Sequence, residues 1–516
     1  MVCLRWSSFY QSVISWDESL YLLVAKAWSQ GNPPYTTIWD NKPPGIYAIF
    51  LIAIAGLGHA VLSIRLLACL FVATTCFFLY KIGRLIEPNG TGIGLLAGSF
   101  YAVLTLSNGG LAANTEIFYP TFVTIAVYLF FVHLVNVQVL TSRNDLILLI
   151  IIGFLFGIGF EIKYVVLFDF LAFCLILLLS SIQKSELNYN YRQTLQKVFF
   201  LALGFVLPFV IVSTYFWLNG HLSDYVYANF TANKLRTVNL TFSFAPLVQA
   251  IAYQIQTYKF FWLSIPSAIA YLLMVKTQSQ QERWIISGSI LWFFMILLGI
   301  CVVFRGYLYV HYFLQLSACL SLITAYLLVR LIFSVAKTTE QFELRQYLIL
   351  AALLVALLDS TVVFSTLRAN ARYAYFTHIK GVKHWQDTPA MIAEYLNSKV
   401  KADDYIYVVD NAPIVYFLTN AKIPTRYAFP SFLLLRPDLP NIISVNALAE
   451  LDRILQKQPL YIIKPNNYTE LDQAQDLAQT EDNKNFIRKL NQALNENYQK
   501  ETSIQEFDLY RLKPQS

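Results

Sequence analysis

Apolar residues fall into ten blocks along the first two thirds of the chain, each close to the roughly 20 residues that a helix needs to cross the hydrocarbon core of a bilayer. The blocks lie near residues 62–80, 91–107, 117–136, 145–160, 164–181, 198–217, 258–275, 284–304, 312–333 and 346–366, and predict ten spanning helices. Residues 43–58 are also apolar but too short to span, and begin with Pro43-Pro44-Gly45; they predict an interfacial or re-entrant helix with proline in its first turn. Upstream, Trp16-Asp17-Glu18-Ser19-Leu20-Tyr21 opens a short helix reaching to about Gln30. Beyond residue 366 the period changes. An amphipathic helix carrying Met391, Ile392, Tyr395 and Leu396 precedes a strand near 405–409, a helix near 445–456, a strand near 460–463 and a helix near 482–497. That alternation predicts a small α/β domain.

Composition sharpens this division. Of 516 residues 57% are apolar and 13% charged, and mean hydropathy is +0.50, which describes a membrane protein. Residues 1–366 hold 34 charged side chains and residues 367–516 hold 35, or about 9% against about 23%. Three segments follow: an outer loop with interfacial helices at 1–61, a transmembrane domain at 62–366 and an extracytoplasmic α/β domain at 367–516. The net charge of +7 is spread too thinly for nucleic-acid binding. The six cysteines show neither a CxxC spacing nor an adjacent histidine pair, so neither a disulfide framework nor a zinc site is indicated.

Charge also orients the spans. One set of alternate loops carries Lys81, Arg84, Arg143, Lys184, Arg192, Lys197, Lys276, Arg283, Arg330, Lys337 and Arg345, and is cytoplasmic by the positive-inside rule. The other set, with Lys163, Lys234, Arg236, Lys259 and Arg305, is outside. Residues 1–61 and 367–516 fall outside with it. An outside amino-terminal segment with no span before Asp17 suggests that one spanning helix precedes Met1.

Ionisable residues at the ends of spans are functional candidates, because polar groups beside hydrocarbon are costly. Four clusters lie on the outer side. Asp17 and Glu18 pair two carboxylates at a helix start, where they could equally cap that helix. Pro33-Pro34-Tyr35 and Trp39-Asp40-Asn41-Lys42-Pro43-Pro44-Gly45 form a proline-stiffened loop presenting Asp40 and Lys42. Glu116 sits at the outer end of the third span. Lys163 and Arg305, the latter followed by Tyr307, Tyr309, His311 and Tyr312, are outward cations that could also be interfacial anchors. On one face of a membrane, such groups suit a lipid-phosphate substrate. Cations stabilise the leaving phosphate, and a carboxylate accepts the proton of an incoming hydroxyl.

In order along the chain, Trp16-Asp17-Glu18-Ser19-Leu20-Tyr21, Gly31-Asn32-Pro33-Pro34-Tyr35, Trp39-Asp40-Asn41-Lys42-Pro43-Pro44-Gly45 and Arg65 resemble the first outer loop of the protein O-mannosyltransferase and ArnT-like glycosyltransferases. Asn114-Thr115-Glu116, the Gly157/Gly159/Lys163 segment and His311-Tyr312-Phe313-Leu314 fall where that family has similar features. The resemblance covers most of residues 15–330. It implies a GT-C fold, a multi-span helical membrane protein, with a polyprenyl-phosphate sugar donor. Asp17 would be the base or metal-linked acid, with Glu18 beside it, and Glu116 a second acid. Lys42, Lys163 and Arg305 would face the donor phosphate, and Tyr35, Asp40, His311 and Tyr312 would line the substrate cavity.

The chain departs from the pattern at Asn41, where some relatives have an acid directly before Lys-Pro-Pro, so whether a divalent metal binds, with Asp17 and Asp40 as candidate ligands, stays open. The expected function is inverting transfer of a sugar to a hydroxyl of a protein, lipid or glycan acceptor, outside the inner or plasma membrane of a bacterial cell. A carrier or flippase for lipid-linked substrates, using Asp169 and Asp359, and an inactive GT-C relative are the rival readings. Gly92-Ile93-Gly94 matches part of a dinucleotide fingerprint in letters only; inside an apolar block it predicts close helix packing.

Overall fold

The computed structural model describes residues 1–514 apart from 59, 89–90, 137–142, 184–190, 239–243, 276–277, 304–308, 337–360, 437–441, 444 and 475–476. Helices dominate: α1 (Trp16–Ser29), α2 (Gly45–Leu57), α3 (Val61–Ile86), α4 (Gly92–Leu104), α5 (Thr115–Asn136), α6 (Arg143–Phe160), α7 (Val166–Gln183), α8 (Tyr191–Leu218), α9 (Leu222–Val226), α10 (Ala232–Val238), α11 (Ala245–Thr257), α12 (Lys259–Met274), α13 (Gln280–Val303) and α14 (Ser317–Ala336). Nine of the ten expected spans coincide with helices, and the tenth, 346–366, lies mostly outside the described residues. By length and composition six described helical segments can cross a membrane: Val61–Ile86, Thr115–Val135, Arg143–Phe160, Arg192–Leu218, Gln280–Val303 and Val310–Ile332. The protein is an integral membrane protein. Helix α4, expected at 91–107, stops at Leu104 and is too short to span by itself: 13 residues rise about 20 Å.

The chain divides into two compact units. One collects Met1–Trp6, Arg65–Tyr215 and Ser243–Ala371; the other collects Ser7–Ile64, Phe216–Phe242 and Arg372–Ser516. In the first, Val310–Ile332 is mostly buried among its neighbours, whereas Arg192–Leu218 exposes Leu195, Phe199, Val206, Val210 and Ile211. Apolar side chains that face outward on a spanning helix meet lipid at no cost.

Small residues let these helices approach. The Gly83 and Gly94 backbones touch, so a Cβ built at Gly83 falls 2.4 Å from the Gly94 Cα. The glycine run in α4 is therefore a packing feature. At the α6–α8 crossing a Cβ on Gly153 would sit 2.0 Å from the Leu201 carbonyl oxygen, and one on Gly204 2.1 Å from that of Ile150. Farther along, Glu282 of α13 receives a fork of bonds from Arg330 of α14, Nε at 2.9 Å and Nη2 at 2.8 Å, and a third from the Tyr326 hydroxyl at 2.8 Å.

In the second unit the carboxyl-terminal region forms a four-stranded sheet of order β1-β2-β4-β3, with β1 Ile406–Val408, β2 Tyr461–Pro465, β3 Tyr498–Ile504 and β4 Phe507–Leu512. Strands β1 and β2 run parallel, joined through helices Ile414–Thr419 and Ala447–Gln456; β3 and β4 form an antiparallel hairpin. Helices Thr388–Asn397 and Glu481–Asn497 complete the α/β domain. Asp387 caps the first by accepting from the Ala390 amide at 3.2 Å, and also receives the Ser12 amide at 2.7 Å and hydroxyl at 2.5 Å.

Gly153→Ala or Gly204→Ala is expected to force α6 and α8 apart and destabilise the protein by about 1–3 kcal/mol, the usual scale of overpacking. Gly56→Ala, with nothing within 4 Å of the added carbon, should be neutral or slightly stabilising. Thermal unfolding of the purified protein in detergent separates the two outcomes.

Candidate functional site

In the second unit the loop expected to lie outside is built around α1. Ser15 caps the helix, and Glu18 reaches back to accept from the backbone amides of Ile14 at 2.7 Å and Ser15 at 3.2 Å, a capping box. Glu18, expected among the acids of the chemistry, is thus engaged in the cap. Asp17 is half-buried, and among the described residues its carboxylate has no hydrogen-bond or ion-pair partner.

The proline-bounded stretch that follows is held tightly. Tyr35 is fully buried at φ 74°, a left-handed conformation that a bulky residue adopts only under strain. Its ring packs against Tyr47 and Phe216, its hydroxyl donates to the Lys42 carbonyl at 2.7 Å, and its own carbonyl accepts from Arg426 Nη2 at 2.6 Å. The Trp39 amide donates to the Arg426 carbonyl at 2.8 Å, and its indole lies edge-on to Phe432 with centroids 4.8 Å apart. Asn41 and Asn233 of α10 bond each other, 3.0 Å between side chains and 3.2 Å from Asn233 to the Asn41 carbonyl.

Asp40 is almost fully buried. It accepts from the Tyr47 hydroxyl at 2.8 Å and from the Asn41 amide at 2.7 Å. Burial raises its pKa to about 6; Lys42 and the two hydrogen bonds oppose this, and the Asp17 charge adds to it, so the two loop carboxylates sense each other. Each Asp40 oxygen already accepts one hydrogen bond, which leaves lone pairs on both. Among the described residues no three His, Cys, Asp or Glu side chains group as ligands.

In the first unit, three residues from separate segments come together. Glu116, in the first turn of α5, is 2% exposed. It forms an ion pair with Lys163, which precedes α7, accepts from the Thr115 hydroxyl at 2.8 Å, and lies 3.6 Å from His311 Nε2. The Lys163 ammonium also stands 4.4 Å from the Tyr312 ring centroid, and His311 stacks on Tyr309. The loop leading to Glu116 is fixed by two buried guanidiniums: Arg5 donates to the carbonyls of Thr105 and Gly110, and Arg65 to that of Leu111 at 3.0 Å. Lys163 is thus a cation already shared with a carboxylate. Arg305 lies outside the described residues.

Sequence reasoning missed Tyr47, Asn233, Arg426 and Thr115 as supports of these groups. Tyr47, two residues after the Lys-Pro-Pro-Gly run, and Thr115, next to Glu116, carried local hints; Asn233 and Arg426 are brought in by tertiary structure.

The raised Asp40 pKa has a stability consequence. The native state binds this proton more tightly than the unfolded chain, so the contribution is complete below about pH 4 and is lost as pH rises through about 6, by up to about 3 kcal/mol. Asp40→Asn, which cannot ionise, should therefore gain relative to wild type as pH rises from 4 to 6.5. Melting temperatures of both proteins across that range give the comparison, and parallel curves would refute it.

The family described as dolichyl-phosphate-mannose-protein mannosyltransferase matches residues 41–217, a range holding Lys42, Glu116 and Lys163. No curated protein matches the chain by sequence. Among solved structures, ArnT from Cupriavidus metallidurans bound to undecaprenyl phosphate is similar at 12% identity and TM-score 0.58, covering 100% of this chain and 98% of that one. Its apo state gives 13% and 0.56, covering 100% and 97%. The archaeal oligosaccharyltransferase AglB from Archaeoglobus fulgidus gives 12% and 0.49, covering 96% and 70%. With the family match over residues 41–217 and a fold shared along the whole length of ArnT, the chain has the GT-C fold and resembles the protein O-mannosyltransferase and ArnT-like membrane glycosyltransferases.

Proposed function

We propose that the protein transfers one sugar from a polyprenyl-phosphate donor to an acceptor hydroxyl on the extracytoplasmic face, with inversion at the anomeric carbon. The observation that carries this reading is Asp17. Within a loop whose other acids, Glu18 and Asp40, are tied down by hydrogen bonds, its half-buried carboxylate has no such partner among the described residues. A carboxylate held that way is suited to receive a proton.

In the step itself Asp17 accepts the acceptor's hydroxyl proton while the oxygen attacks the anomeric carbon. The carbon–oxygen bond to the phosphate breaks, and polyprenyl phosphate leaves with the electron pair. Lys42 and Lys163 stabilise that charge, and Arg305 is assigned the same task by resemblance. Glu116 holds Lys163 in place and shares its charge, with His311 and Tyr312 beside it. Tyr35 and Asp40 shape the loop; Glu18 fixes the helix that bears Asp17. The acceptor is a protein, lipid or glycan hydroxyl.

Undecaprenyl phosphate in the similar ArnT structure supports a lipid-phosphate donor. The excess of cations in alternate loops supports an outside location for the loop and the carboxyl-terminal domain, in a bacterial inner or plasma membrane. The carrier reading relied on Asp169 and Asp359. Asp169 is buried and accepts from the Trp292 indole at 2.6 Å, a satisfied core acid; Asp359 lies outside the described residues.

Replacing the native gene by Asp17→Asn should make one polyprenyl-phosphate sugar accumulate in the host, and mass spectrometry of its lipids would identify the donor. An unchanged lipid pool with the variant protein at normal level would overturn the transferase reading.

A further inference from the structure

The carboxyl-terminal domain contains a charged group that the mechanism above does not use. Asp410 lies just beyond the carboxyl end of β1, and Tyr468 just beyond that of the parallel neighbour β2. In open α/β sheets, functional side chains gather at such strand ends. Here they grip a guanidinium. Arg436 Nη2 lies 2.7 and 2.8 Å from the two Asp410 oxygens, and the Tyr468 hydroxyl donates to Asp410 as well. Asp410 and Tyr468 are both buried, and the main chain beside Arg436 is clamped by Asn483, which accepts from the Leu435 amide at 2.9 Å and donates to its carbonyl at 2.8 Å.

Arg436 also meets the amino-terminal loop. Its Cζ stands 5.8 Å from the ring centroid of Trp16, which also packs edge-on against Phe429 at 6.1 Å. Trp16 is the first residue of α1, and Asp17 is the next. A planar cation immobilised by a buried carboxylate fits the face of an indole and restricts its motion. We infer that Arg436 is a positioning residue for sugar transfer: anchored by Asp410 and Tyr468, it braces Trp16 and so holds the first turn of α1 where Asp17 works. This rests on the transferase reading and adds to it a part for the carboxyl-terminal domain. Misplacing a reacting group by 1 Å costs on the order of 100-fold in rate, so a weak contact at this point has a large effect.

The test uses the full-length protein with two readouts. Hydrogen–deuterium exchange in detergent reports the brace directly. Arg436→Met should speed exchange of peptides covering residues 16–22 by about 10-fold, with the β1–β4 amides unchanged. In cells, the polyprenyl-phosphate sugar that accumulates with Asp17→Asn should also accumulate with Arg436→Met, while Arg436→Lys, which keeps a cation between Asp410 and Trp16, restores most turnover.

Trp16→Leu removes the same contact from the other side without unpairing Asp410. It should reproduce both effects, and the double variant should be no worse than either. Faster exchange across the whole carboxyl-terminal domain in Trp16→Leu, or lipid accumulation with α1 exchange unchanged, would overturn the brace. Accumulation with Asp17→Asn but none with Trp16→Leu or Arg436→Met would overturn it alone, whereas no accumulation with Asp17→Asn overturns the transferase reading beneath it.

Discussion

Glu116 is buried at the start of a membrane helix, where almost no water reaches its carboxylate, and the first unit is organised around that charge. The helix start supplies Thr115, the α6–α7 link supplies Lys163, and the turn before α14 supplies His311, so three separated segments meet at one charge. Taking away one member of a buried ion pair typically costs about 3–5 kcal/mol, because the remaining charge is left exposed to a low dielectric. That penalty fixes how these segments end. The loop before α5 is pinned in the same way, with the Arg5 and Arg65 guanidiniums satisfying backbone carbonyls that would otherwise lie unpaired.

The second unit solves the opposite problem. Its outer loop is short of regular structure, carries Tyr35 in a strained conformation and buries Asp40, so it cannot be held by its own backbone. Aromatic and cationic residues of the 426–436 segment hold it instead: Arg426 at the Tyr35 carbonyl, Phe432 against Trp39, Arg436 against Trp16. Each contact is modest. Their common effect is to remove freedom from the loop at the points where acids and cations emerge.

The apolar helices were legible in the sequence because hydrocarbon imposes an apolar run of fixed length: nine of the ten expected positions fall on helices, and six described segments are long and apolar enough to cross. Their ends were less so. Several helices continue past the apolar run, as α3 does through Lys81 and Arg84, because backbone hydrogen bonding continues wherever side chains can reach polar surroundings. In the carboxyl-terminal domain the two strands that prove to pair in parallel and the three main helices were visible from periodicity. The β3–β4 hairpin was not, since its strands are rich in charged and polar residues. Of the candidate residues, the Glu116, Lys163, His311 and Tyr312 group assembles as one cluster, while Glu18 proves to be engaged in a helix cap. The partners on Tyr35 and Trp16 lie about 400 residues away, a distance that no local pattern can bridge.

That separation has a consequence for how the protein is made. The loop that holds Tyr35 emerges from the ribosome before the carboxyl-terminal domain, and the residue that closes on Tyr35 follows 391 positions later. At about 5–20 residues per second the delay is roughly 20–80 s. Through that interval the loop exists without the segment that restrains it. The order of synthesis therefore makes completion of the carboxyl-terminal domain the event that gives the outer loop its final shape.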